Sequence, residues 1–98
     1  MIVRIIAMQI GETDRTAEIE RYEFSRVNAL DFIGLDISLG LKLKKVGGTQ
    51  IVLQQYDRNQ ERMEYRIYEG SAGEMAPLVK LIKELQVPEN IPAGTTLT

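Results

Sequence analysis

The sequence predicts an α+β domain: an antiparallel sheet of about five strands, in the order ββ-short helix-βββ, with one C-terminal helix packed on one face. Three observations carry that prediction. The first ten residues, MIVRIIAMQI, hold β-forming side chains that are apolar on both faces. From Leu35 to Lys44, apolar and polar residues alternate with period two, and two further strand-like runs, IVLQQYD and MEYRIYEG, follow across glycine-rich and polar turns. From Ala76 to Gln86 the spacing changes to that of a helix, with Leu78, Leu81, Ile82 and Leu85 on one stripe.

Composition narrows what such a domain can do. A chain of 98 residues supports one core, so residues 1–87 read as a single domain and 88–98 as an extended tail. With 12 basic and 14 acidic side chains the net charge is -2, which excludes coating nucleic acid by overall charge. The chain has no Cys and no His, so it offers no disulfide, no thiolate metal site and no imidazole base. The N-terminal apolar run is short and carries Arg4, which fits neither a signal peptide nor a membrane span. Cytoplasm is the expected location.

Taken in order, the first strand leads through the turn cluster GETDRT into a second, AEIERYEFSRV. Tyr22 and Phe24 share one face of it, and Ile19 is out of phase with them, so a bulge is expected near Glu20. VNALDFIG reads as a short helical turn, with Asn28 as cap, Asp31 at the capping-box position and Gly34 as its end.

The next stretch, LDISLGLKLKKVGGTQ, admits two readings. A helix through it would complete a ββαββα arrangement, but it would carry Gly34 and Gly40 internally at about 1 kcal/mol each. The unbroken alternation of Leu35, Ile37, Leu39, Leu41 and Leu43 favours a strand. With Val46, Gly47 and Gly48 as a three-residue loop, Leu43 would face Ile51 and Leu41 would face Leu53. The fourth strand is IVLQQYD and the fifth MEYRIYEG; aligning Leu53 with Ile67 puts Met63, Tyr65 and Ile67 in the core and Arg66 and Tyr68 outside. Pro77 then opens the last helix, in preference to the Ser71/Glu74 capping box upstream, and Val87-Pro88 ends it.

Chemistry is sparse. Without His or Cys, and with carboxylates spread over turns and alternating strands, the chain reads as a non-enzyme with no cofactor and no metal site. Asp36-Ile37-Ser38-Leu39-Gly40 resembles the Asp-x-Ser-x-x-Gly element of PilZ domains, which bind cyclic di-GMP, and RYEFSR resembles their Arg-x-x-x-Arg. Arg21 and Arg26 are five apart where that family has four, and Leu41 stands where the closing glycine belongs, so the resemblance assigns no site.

The outer sheet face is the candidate binding surface, gathering Ser38, Lys42, Lys44, Gln50, Gln54, Tyr56, Arg66 and Tyr68. Lys42, Lys44, Tyr56, Arg66 and Tyr68 are its candidate binding residues. Tyrosine and arginine on a flat sheet suit a protein contact, here self-association into a homo-oligomer or binding to another protein. Cations interleaved with rings would also suit single-stranded nucleic acid, the alternative partner. The expected function is thus a non-enzymatic structural or protein-interaction module acting through a sheet face or the tail, with no membrane partner.

Overall fold

The computed structural model describes residues 1–9 and 16–85. Over these the chain forms β1 (Ile2–Gln9), β2 (Thr16–Glu23), α1 (Arg26–Ser38), β3 (Lys42–Val46), β4 (Gln50–Asp57), β5 (Arg62–Glu69) and α2 (Ala72–Leu85). All pairings are antiparallel, in the order β2-β1-β5-β4-β3, so the last strand completes the meander and also receives the first hairpin. The α+β class, the five strands and the C-terminal helix are as the sequence predicts. The bulge is there too: Ile5 pairs with Glu20 and Ile6 with Glu18, leaving Ile19 over. The GETDRT turn through Arg15, the helix end at Val87-Pro88 and the tail fall outside the described residues.

The stretch from Leu35 differs from expectation. It continues a helix of 13 residues that begins at Arg26, so the short turn is a full α1, and Leu35 to Leu39 are not strand. Ser25, not Asn28, is the cap, its hydroxyl accepting from the Asn28 amide at 3.3 Å. Gly34 lies inside the helix with nothing within 4 Å of where a Cβ would stand, so it ends nothing. The stop is Gly40 at φ +98, where the Gly40 amide donates to the Ile37 carbonyl and the Leu41 amide to that of Asp36. Leu35 and Leu39 of the alternating run are more than half exposed. The buried positions are Ala29, Ile33 and Asp36, spaced four and three apart; a carboxylate on the inner stripe hid the helical period.

Two registers also differ. In the β3–β4 hairpin Leu43 pairs with Leu53 and Val46 with Ile51, a bulge at Lys44 separating the two pairings. The turn closes through the Gly47 amide donating to the Gln50 carbonyl at 2.8 Å, and Gly40 has the only positive φ among the described glycines. In the β4–β5 hairpin Leu53 pairs with Arg66 rather than Ile67. Four residues, Arg58 to Glu61, turn this hairpin, with Asp57 Oδ1 accepting from the Asn59 and Gln60 amides and Glu61 at φ 51. A slip of one residue turns every side chain to the other face. Arg66 and Tyr68 therefore face the helices, while Met63, Tyr65 and Ile67 face away.

Helix α2 starts five residues before Pro77. The capping box prevails: the Glu74 amide donates to Ser71 Oγ, and the Ser71 amide donates to Glu74 Oε1. This earlier start adds Met75 to the stripe of Leu78 and Ile82, all buried against the sheet. The gain outweighs the one amide bond that Pro77 removes. The core joins Ala29 and Ile33 of α1, those three residues of α2, and Val3, Leu41, Leu43, Ile51, Leu53 and Tyr68. Both helices thus lie on one side of the sheet.

Candidate functional site: the open sheet face

The face turned away from both helices is built by strand alternation and can be read row by row from the pairings. One row runs Lys42, Gln54, Tyr65, Ile6, Glu18, from the β3 edge to the β2 edge. Beside it runs Lys45, Val52, Ile67, Arg4, Arg21, and beyond that Gln50, Glu69, Ile2, Glu23. On the other flank lie Tyr56, Met63 and Met8. Apolar side chains from β1, β4 and β5 share this face: Ile2, Ile6 and Met8, Val52, and Met63, Tyr65 and Ile67; Arg4, Gln54 and Glu69 stand among them, and Val52 and Tyr65 are buried. Strand β1 supplies its share because its run is apolar at both parities, which lets it face the core and the open side at once.

Charges border this centre. The β3 edge carries Lys42, Lys44 and Lys45, all exposed, with the Lys44 ammonium 4.3 Å from the centroid of the Tyr65 ring. The bulge turns Lys44 and Lys45 to the same side. The β2 edge carries Glu18 and Glu23 with Arg21 between them. Inside the face, Arg4 Nη2 lies 2.5 Å from Glu69 Oε1, which also accepts from Gln50 Nε2 at 2.8 Å. Gln54 is 4 % exposed, and its amide nitrogen has no hydrogen-bond partner among the described residues.

Of the five candidate binding residues, Lys42, Lys44 and Tyr56 stand on this face. Arg66 and Tyr68 do not, which corrects the sequence reading. They converge instead on Asp36 from the other side of the sheet: Arg66 Nη1 donates to Oδ1, and the Tyr68 hydroxyl donates to Oδ2. The Arg66 guanidinium also lies 5.0 Å from the centroid of the Phe32 ring. Ser38, likewise placed outside, is at the end of α1 and donates to the Leu35 carbonyl.

Burial pushes the Asp36 carboxyl up to about 6, against the Tyr68 hydrogen bond and the Arg66 charge, which both act to lower it. The same burial, with the bond to Asp36, holds the Tyr68 hydroxyl well above the ordinary tyrosine range. Asp36 has no exposed surface and both its oxygens are engaged. The trio ties α1 to β5.

A groove beside α2 is lined by Gly48, Ala72, Ala76, Val79, Lys80 and Lys83. Among the described residues no group of three acidic, His or Cys side chains could hold a metal ion, and no helix is long and apolar enough to cross a membrane. No family model matches this chain, and comparison with curated proteins and with solved structures gives no match either.

Proposed function

We propose that the chain is a non-enzymatic structural or protein-interaction module that self-associates through its open sheet face. The observation that supports this reading is the set of apolar side chains, half-buried Ile2, Ile6, Met8, Met63 and Ile67 around buried Val52 and Tyr65, on the sheet face turned away from both helices. Removing the apolar surface that the half-buried residues still expose is favourable by roughly 25 cal/mol per Å², and apolar side chains bordered by charged edges have the anatomy of a protein interface.

The nucleic-acid alternative drew on Tyr56 and Tyr68 as stacking platforms among Lys42, Lys44 and Arg66. With Tyr68 in the core and Arg66 beside Asp36, it retains Tyr56 and the lysine edge, opposite an edge that carries Glu18 and Glu23. A strand of bases needs successive rings along a basic track, so protein contact is the better supported reading.

Light scattering on the native chain and on Ile67→Glu tests the proposal. Ile67 is at the middle of the face and half-buried, so the variant should keep the far-ultraviolet circular dichroism of the native chain while its dimer dissociates to monomer. A dimer that survives the substitution would refute the proposed surface. A 260/280 nm absorbance ratio raised by co-purifying nucleic acid would favour the alternative.

A further inference from the structure

The rim charges say how two copies would meet, an inference that rests on the self-association proposed above. Four strands of eight residues and one of five, about 4.8 Å apart and about 3.3 Å per residue, give a face of roughly 600 Å², approaching the ~800 Å² that each partner contributes to a standard interface. A matching surface must be flat, apolar at its centre, acidic where this face is basic and basic where it is acidic. The face's own image, turned about a two-fold axis along β5, sets apolar strands over apolar strands and the β3 lysines over the β2 edge, where Glu18 and Glu23 flank Arg21.

The axis direction is decided by charge. A two-fold axis across the strands would lay β3 on β3, setting Lys42, Lys44 and Lys45 against their own copies and Glu18 and Glu23 against theirs. A two-fold axis parallel to the strands lays β3 on β2. Because Lys42 and Glu18 end the same row, Lys42 then meets Glu18 of the second copy. Lys45 and Arg21 end the neighbouring row as like charges, but the edges as wholes attract: three lysines on β3 face Glu18, Arg21 and Glu23 on β2. The roughly 30° at which aligned sheets cross shifts these contacts along the edges without exchanging the edges.

We infer that the chain forms a face-to-face homodimer about a two-fold axis parallel to β5, in which the lysine edge of each copy, Lys42, Lys44 and Lys45, lies over the glutamate edge of the other, Glu18 and Glu23.

The chain has no Cys, so single introduced thiols report the geometry directly. Lys42 and Glu18 are exposed edge residues whose replacement leaves the core intact. Lys42→Cys and Glu18→Cys chains, mixed in equal amounts under mild oxidation, should cross-link at least tenfold more than either variant alone. Independently, reversing Lys42, Lys44 and Lys45 to Glu should weaken dimerisation at least tenfold, and adding Glu18→Lys with Glu23→Lys in the same chain should restore it. Efficient linking of Lys42→Cys to itself would establish the other axis and overturn this arrangement while leaving the shared face standing. A native chain that stays monomeric overturns the arrangement together with the reading beneath it.

Discussion

At the scale of single residues, Asp36 governs the behaviour of the inner face. A buried carboxylate is tolerated because Arg66 and Tyr68 engage both its oxygens. Arg66→Leu strands that group, and chemical denaturation should find it destabilised by about 3 to 5 kcal/mol. Replacing the trio together, Asp36→Leu with Arg66→Met and Tyr68→Phe, should cost far less, because no buried charge is then left unpaired. The trio also couples stability to pH. The folded carboxyl titrates at about 6 and the unfolded one near 3.8, so the folded chain binds the extra proton between those values. This contribution favours folding at the acid end and is lost as pH rises from about 4 through about 6. Denaturation across that range should show the native chain losing stability relative to Asp36→Asn, and carboxyl NMR should place the Asp36 midpoint near 6. A midpoint near 4 would contradict the assignment. None of this was legible in the sequence, where Asp36 looked like the polar half of an alternating strand.

At the scale of elements, helix ends decided what periodicity could not. Leu35, Ile37 and Leu39 alternate by coincidence on a helix whose inner stripe runs through Ala29, Ile33 and Asp36. The two glycines cited against a helix play opposite parts, Gly34 as a tolerated interior residue and Gly40 as its left-handed stop. They should therefore respond oppositely to alanine. Gly34→Ala should raise stability by about 0.5 to 1 kcal/mol, since it reduces the unfolded chain's freedom at no steric cost. Gly40→Ala should lower it by about 1 to 2 kcal/mol, since a Cβ there must adopt the left-handed region. Thermal denaturation of both variants checks the pair, and equal responses would be inconsistent with α1 ending where it does. The last helix shows the same contest, in which Ser71 and Glu74 set the start because that start buries Met75.

At the scale of the whole molecule, class, strand count and the covering C-terminal helix followed from composition and alternation, because burying one sheet face demands those patterns. The two faces were harder to assign. A strand such as β5, MEYRIYEG in the sequence, has large side chains at both parities, so only the length of the preceding turn tells which parity is buried. Taking Leu53 opposite Ile67 rather than Arg66 placed Arg66 and Tyr68 on the wrong side, while Lys42, Lys44 and Tyr56 stayed on the right one. With the parity corrected, the outer face becomes more apolar, because Met63, Tyr65 and Ile67 stand there in place of Glu64, Arg66 and Tyr68. That change strengthens the case for a protein partner and weakens the one for nucleic acid. Sedimentation equilibrium of the native chain over roughly micromolar to millimolar concentration, the span that covers modest to weak association, reads self-association itself. The mass should rise with concentration from the 11.1 kDa of one chain to twice that. A mass that stays at one chain to the top of the range would contradict self-association.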